Sequence, residues 1–455
     1  MPRGGAGHGK GARNPGGSPG RDDRHRDGGA RRGDAPRDGG ARRGDAPRDG
    51  GARRGDAPRD GGKRRDDRRH VRDAARPART ARPTGTLVEL TYLDGLRDVL
   101  HDEVVDVLGP RRAPVDVPGR ADALAVRVDG PLADVLRLRT AVAAYVALHF
   151  DVPRPRSLTS GDHLARIVDA VYASLRVAGS STFRFEAAGS DSTVFRRLAE
   201  LLHEATGLRH DPEDGELVVR VRRGSPRAGD GRGDGGRTGG GAGRAGHGGT
   251  GADADPGWDV LVRIGPRPLS ARTWRVADYP GALNATIAAA MVRLAEVRPE
   301  ERVLNLMCGS GTLLVERLLA GPAAAAVGVD TAPAALDAAR ANLAAARVRA
   351  TVAAADALAP LPSALAGDER FDLVLVDPPW SGLHGAHAHA ADLHAAVLRA
   401  ARAAASPHAR CVVVTHEVKV MERCLRDAAG LWSVRQTLRV FAKGHHPRIY
   451  VLDAV

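Results

Sequence analysis

The chain has 455 residues, a formal net charge of +13 and three cysteines. That length gives room for two or three domains with sizeable cores, and no run of about 18 apolar residues is present to cross a membrane. The start, Met1 to Gly5, lacks the apolar segment of a secretory signal. Cys308, Cys411 and Cys424 lie too far apart for a paired metal-binding spacing, so a reducing, cytoplasmic setting with no metal is expected.

The charge is unevenly placed. Residues 1–83 carry 24 Lys+Arg against 12 Asp+Glu, whereas the rest of the chain carries 44 against 43. Within the basic segment the unit Ala-Arg-Arg-Gly-Asp-Ala-Pro-Arg-Asp-Gly-Gly occurs three times, from Ala30, Ala41 and Ala52. Gly and Pro in every unit rule out a helix, and too few apolar side chains are present to offset the entropy of ordering. A disordered tail is expected. A basic arm on RNA and a merely solvated segment are equally good readings of it.

Order is expected from about residue 84. Thr86 to Leu90 alternates like a strand, and Leu96 to Leu108 has helical apolar spacing. Ala123 to Val128 reads as a strand, and Leu132 to Phe150 as a helix and strand. Units of this type pack helices on one face of an antiparallel sheet. A second unit follows, with helices at 162–175 and 192–206 and strands at 181–187, 216–222 and 258–264. The last two strands read as a hairpin interrupted by a Gly-rich insert, 224–257, too long to be ordered. Arg267, Arg272, Trp274 and Arg275 form a basic link to a helix at 282–297.

The most informative stretch is 302–380. Val303 to Leu306, Val327 to Val329 and Phe371 to Val376 are apolar runs separated by Ala-rich helical segments, the pattern of buried parallel strands. In such sheets ligands bind beyond the carboxyl ends of the strands. After the first run comes Asn305-Leu306-Met307-Cys308-Gly309-Ser310-Gly311-Thr312. Two glycines permit a sharp turn and close approach of a ligand, but position 314 is leucine and no lysine follows, which excludes dinucleotide and phosphate loops. Asp330, at the end of the next apolar run, is placed for a ribose diol, and Asp356 for an adenine amine. Ribose and adenine without pyrophosphate point to S-adenosylmethionine.

Asp377-Pro378-Pro379-Trp380 ends the strand at 371–376, since proline cannot continue a central strand. The Asp377 carboxylate and Pro378 carbonyl are two acceptors suited to the two protons of an exocyclic amine, and Trp380 offers a stacking face for a flipped-out base. Four histidines follow, His384, His387, His389 and His394; they read as a polar loop over the substrate rather than as a metal site. Cys308 reads as packing. Glu316 either orients the glycine loop or is an ordinary solvated helix residue, and Arg448 is either a substrate contact or a surface group. After a helix at 390–405 and a strand at 411–415, a helix at 418–428 and an antiparallel edge hairpin, 433–441 with 448–452, close the chain.

The glycine loop, the Asp-Pro-Pro-Trp tetrapeptide and three further segments, Leu136 to Ala141, Leu269 to Arg275 and Pro280 to Ala288, resemble the THUMP-domain RNA guanine-N2 methyltransferases. The resemblance spans about residues 84–455, apart from the insert. It implies an α/β architecture: a ferredoxin-like subdomain (84–155), a THUMP-like RNA-binding domain (156–275) and a Rossmann-like class I methyltransferase domain (276–455) with a mostly parallel seven-stranded sheet and an antiparallel edge hairpin. It implies S-adenosylmethionine bound by Asn305, Met307, Cys308, Gly309, Ser310, Gly311, Thr312, Asp330 and Asp356. Asp377, Pro378, Pro379 and Trp380 would hold the guanine amine. The chain departs from the family at Asn305-Leu306, where Asp-Pro is usual, and at Trp380, where Tyr or Phe is usual.

The expectation is methyl transfer to N2 of a guanosine, in tRNA ahead of ribosomal RNA. The rivals are an amino methyltransferase acting on DNA adenine or protein glutamine, and a non-catalytic RNA-binding protein.

Overall fold

Val88, Leu90, Val126, Val128, Val219, Val221, Val260 and Val262 alternate along four strands and bury their side chains in one core, as period-two patterning requires. They belong to a computed structural model that describes residues 85–224, 255–367, 369–379, 387–441 and 444–455. The basic tail, most of the Gly-rich insert and Trp380 lie outside the described residues. Everything below belongs to one unit, Arg79–Val455.

The first half comprises β1 (Thr86–Thr91), α1 (Arg97–Leu108), β2 (Val115–Asp116), β3 (Ala123–Val128), β4 (Ala143–Phe150), α2 (Gly161–Val177), β5 (Thr182–Glu186), α3 (Thr193–Thr206), β6 (Arg209–His210), β7 (Leu217–Arg223) and β8 (Trp258–Arg263). A 3-10 turn at Leu132–Arg137 precedes β4, where the apolar pattern suggests a longer helix. These strands make one eight-stranded sheet, ordered β2-β3-β1-β4-β8-β7-β5-β6. Its middle is the antiparallel pair β4–β8, Val146 opposite Val262, so residues 85–150 and 182–263 share a single continuous sheet. The antiparallel pattern expected of the first unit holds from β2 to β4, and in the second unit β5 runs parallel to both β6 and β7. α2 and α3 each cross between strands there, and a crossover helix returns the chain in the same direction. The interrupted hairpin is present: β7 and β8 pair with Val219 opposite Val262, and Gly224 N donates to Gly257 O at 2.9 Å.

The second half comprises α4 (Ala285–Leu294), β9 (Arg302–Leu306), α5 (Thr312–Ala320), β10 (Ala325–Asp330), α6 (Pro333–Ala346), β11 (Thr351–Ala354), α7 (Ser363–Ala366), β12 (Phe371–Val376), α8 (His387–Ala404), β13 (Ala405–Thr415), α9 (Val418–Asp427), β14 (Trp432–Arg439) and β15 (Arg448–Ala454). α4 begins slightly later than its apolar pattern suggests. Asn284 caps it, its Oδ1 accepting from Thr286 N at 2.8 Å and Ile287 N at 3.4 Å. The sheet order is β11-β10-β9-β12-β13-β15-β14, with β9 to β13 all parallel and β15 antiparallel to both β13 and β14. β9 lies centrally: the chain moves outward through β10 and β11, then returns to the other side of β9 as β12. That reversal opens a crevice at the carboxyl end of β9, where such sheets take their ligands. Leu304, Leu306, Val374 and Val376 fill the core on one face, and Val303, Leu373 and Leu375 that on the other. Fully buried strands therefore read as unbroken apolar runs.

The two halves interlock. α1 turns Leu100 and Val104 toward the first core and Leu96 and Val99 toward the second, where Trp274, Leu283 and Val440 also pack. Gly95 is needed at this junction: its φ is +90°, and a Cβ there would overlap the Arg439 carbonyl. No described helix is long and apolar enough to cross a membrane.

Candidate cofactor and substrate cleft

The loop from β9 to α5 is a left-handed turn made by three residues, Met307 (φ 52°), Gly309 (φ 53°) and Gly311 (φ 76°). Positive φ suits the two glycines; Met307 holds it against the usual cost, which is of order 1–3 kcal/mol. Two hydrogen bonds fix the turn, Cys308 N to Val329 O at 2.9 Å and Gly311 N to Cys308 O at 2.8 Å. Asn342 on α6 locks it from behind. Its Nδ2 donates to Ser310 O (3.1 Å) and Ala277 O (3.0 Å), and its Oδ1 accepts from Val276 N and Ala277 N, both at 3.0 Å.

This loop forms the floor of a cleft of about 670 Å³. Asn305, Met307, Cys308, Gly309, Ser310 and Thr312 line it from β9 and the loop, Asp330 and Asp356 from the tips of β10 and β11, and Asp377, Pro378 and Pro379 from the tip of β12. The structure thus gathers four separate segments of the chain at one edge of the sheet. Gly311 is the exception among the described candidates. It does not line the cleft; a Cβ there would meet Ala339 Cβ at 3.1 Å, so this glycine lets α5 approach α6. Trp380 falls outside the described residues.

Asp330 ties the loop to the next strand, Oδ2 accepting from Gly309 N at 2.9 Å and Oδ1 from Ala332 N at 3.0 Å. Each carboxylate oxygen keeps a second lone pair for a ligand hydroxyl. Asp356 is exposed on the cleft wall and accepts from Leu358 N at 2.9 Å. Asn305 is 1% exposed. Its Nδ2 donates to Leu375 O at 3.0 Å and Leu306 O at 3.2 Å, while its Oδ1 has no partner among the described residues. A buried acceptor without a partner is costly unless a ligand supplies the donor. Cys308 is buried below the loop, and burial, with Asp330 nearby, pushes its thiol up to about 12. It is a protonated packing group at neutral pH, not a nucleophile.

The described lining includes the carboxylates of Asp330, Asp356 and Asp377 and the imidazole of His445; no described Lys or Arg belongs to it. Such a wall repels phosphate and favours a cationic ligand rich in donors. The fit to S-adenosylmethionine is good on these grounds: an unpartnered buried acceptor for an ammonium, carboxylates for hydroxyls and an amine, and no phosphate clamp.

Several other sequence readings change. Glu316 is not a solvated helix residue: it is 1% exposed and accepts from Arg139 Nε at 2.6 Å and Arg272 Nε at 2.8 Å. It joins the first half of the chain to the helix that follows the glycine loop. Within the basic link Arg272 and Arg275 both make internal contacts; Arg275 Nη2 bonds Leu283 O (2.8 Å) and Thr312 Oγ1 (2.9 Å). Trp274 is buried beside them. His394 leaves the expected loop: it is 2% exposed on α8, with Nδ1 2.7 Å from Ala390 O and Nε2 2.9 Å from Thr415 Oγ1. Ala390 O only accepts, so in the neutral ring Nδ1 carries hydrogen and the Thr415 hydroxyl donates to Nε2. His384 and the side chains of His387 and His389 lie outside the described residues. Arg448 pairs with Glu422.

Sequence reasoning missed the wall made by Tyr279 to Asn284 with Ile287, and it missed His445. The first had a signal in the segment Pro280 to Ala288; the second had none, because a hairpin turn had to fold back over the sheet.

Comparison with known proteins agrees with this geometry. Residues 272–448 match the family model for the UPF0020, RMKL-like methyltransferase domain. A tRNA (guanine(6)-N2)-methyltransferase of Archaeoglobus fulgidus is 35% identical over 75 residues, 13% of this chain and 19% of that protein. Its namesake from Thermus thermophilus is 29% identical over 238 residues, 50% of this chain and 59% of that one. The matches thus span between a fifth and three-fifths of these curated relatives. The crystal structure of TrmN from Thermus thermophilus superposes with a TM-score of 0.56 at 25% identity, covering 81% of this chain and 100% of that chain.

Proposed function

We propose that the protein transfers a methyl group from S-adenosylmethionine to N2 of a guanosine in tRNA. The observation that carries this is the conjunction, in one cleft, of a wall carrying Asp330 and Asp356 with the Asp377-Pro378-Pro379 tip. The sulfonium methyl is the chemistry the cofactor supplies when bound. Asn305 Oδ1 would accept from its ammonium, Asp330 from the ribose hydroxyls and Asp356 from the adenine amine. The N-terminal end of α4, where its cap Asn284 and Ile287 line the cleft, favours a carboxylate there through the positive end of the helix dipole. Met307, Cys308, Gly309, Ser310 and Thr312 shape the floor.

Asp377 and the Pro378 carbonyl would receive the two N–H groups of the guanine amine. That leaves the nitrogen lone pair aimed along the cleft, and orientation then supplies much of the rate. Trp380 would stack on the flipped base. In this reading the sheet of β1–β8 grips the RNA, with a ferredoxin-like part at 84–155 and a THUMP-like part at 156–275, and the enzyme works in the cytoplasm. The names of the relatives favour tRNA over ribosomal RNA.

The test is nucleoside mass spectrometry on tRNA and ribosomal RNA, fractionated separately, from cells with the wild-type gene or with Asp377→Ala. The expected result is loss of N2-methylguanosine from tRNA alone in the variant. Purified Asp377→Ala should keep its calorimetric affinity for S-adenosylmethionine and lose at least about a hundredfold in transfer rate. Loss from ribosomal RNA alone would overturn the choice of substrate, and unchanged guanosine in both fractions would overturn the reaction.

A further inference from the structure

His445 enters the cleft from the turn between β14 and β15, far along the chain from the Asp377 tip, and it is the only imidazole among the described lining side chains. Its surroundings form a polar cluster at the carboxyl edge of β13. The His416 ring lies 6.1 Å from the His445 ring, and His416 Nε2 is 3.4 Å from Glu417 Oε1. Buried His394 sets this loop through Thr415, whose Oγ1 accepts from Glu417 N at 3.1 Å. The acidic groups that share the cleft with His445 are Asp377 on the β12 tip, Asp330 and Asp356, and the Arg448–Glu422 pair links the start of β15 to α9. His446, the neighbour of His445, turns instead to Phe441, ring to ring at 5.1 Å, and does not line the cleft.

The geometry points to His445 as the group that takes the proton released by the amine, an inference that rests on the proposed methyl transfer. As the sulfonium S–C bond breaks, its electron pair stays on sulfur, the N2–C bond forms from the nitrogen lone pair, and the positive charge moves to N2. An N2–H bond then breaks, its electrons return to nitrogen, and the proton passes by way of the Asp377 carboxylate that holds it to an imidazole nitrogen of His445. The residue is exposed to solvent and releases that proton to water. Asp377 holds the amine through a hydrogen bond and hands on its proton, and the His445 imidazole offers the nitrogen that keeps it as general base. His416, held 3.4 Å from Glu417 Oε1, packs beside the His445 ring as a positioning residue.

The test compares wild type, His445→Gln, His445→Ala and the neighbour control His446→Ala between pH 6 and 9, with tRNA as substrate. The expected wild-type rate rises with pH through the neutral range. His445→Gln and His445→Ala should lose about a hundredfold in rate together with that rise, and keep the wild-type calorimetric affinity for S-adenosylmethionine. His446→Ala should match wild type. A readout independent of turnover is the imidazole NMR signal of His445, identified by its loss in His445→Gln, which should shift when tRNA is added with S-adenosylhomocysteine. A wild-type rate and profile in the His445 variants, a rate loss with the pH profile intact, or an unmoved signal would each overturn the role of His445 alone. A wild-type protein that binds cofactor and methylates neither tRNA nor ribosomal RNA would overturn the parent reading with it.

Discussion

Asn305 is chosen by its neighbours as much as by its ligand. Its Nδ2 satisfies the carbonyls of Leu306 and Leu375 in the middle of the sheet, leaving Oδ1 for the cleft. The related enzymes' aspartate, placed here unchanged, would set carboxylate oxygens against those two carbonyls and remove both donors. Asn305→Asp is therefore expected to destabilise the cofactor-free protein by about 1–3 kcal/mol, read by urea unfolding. Saturating S-adenosylmethionine should narrow the gap, because the new charge gains an ammonium partner. Equal stability without cofactor would show that the amide donors do not matter. At this scale the sequence was legible where chemistry is local. A strand ending in Asp-Pro-Pro or in Asn-Leu-Met-Cys-Gly-Ser-Gly announces its tip, because glycine and proline constrain their own backbone. Gly311 was misplaced for the opposite reason: it serves contact with Ala339 on another helix, which no local pattern reveals.

At the scale of elements, α5 carries the coupling between the halves. Glu316, within its second turn, holds Arg139 from the β3–β4 connection and Arg272 from the junction, all three largely buried. Glu103 on α1 closes the same corner by accepting from Arg139 N and Thr140 N, both at 2.8 Å. Removing one partner of such a group strands the other charges. Glu316→Ala should cost about 3–5 kcal/mol in urea unfolding and, because α5 starts at the glycine loop, weaken cofactor binding as well. A change below about 1 kcal/mol, the size of an exposed pair, would mean the arginines find other partners. Apolar periodicity anticipated α1, α2, α3 and the parallel strands, since burial on one face or two leaves a period in the sequence. It did not anticipate the parallel strand β5 or the solvent-excluded Glu316. A glutamate on a helix reads as solvated until something distant covers it.

For the molecule as a whole, charge and chemistry are separated. The cleft is lined by carboxylates, yet its proposed substrate is a polyanion, so the backbone of the RNA must be gripped elsewhere and only a base admitted. Residues 1–83 carry nearly all of the net positive charge. Deleting them should weaken tRNA binding and flatten its dependence on salt, since fewer counterions are released. Methyl transfer at saturating tRNA should persist. An unchanged salt slope would assign the grip to the folded part alone. The sequence by itself determined the α/β class of the second half, the strand tips and the three carboxylates, because buried parallel strands and glycine or proline turns leave short-range marks. Only the tertiary structure decided that β4 and β8 join the first half into one sheet, that Glu316 is buried between two arginines, and that His445 reaches the cleft. Each depends on segments far apart in sequence meeting in space, which burial and packing settle and no local pattern records.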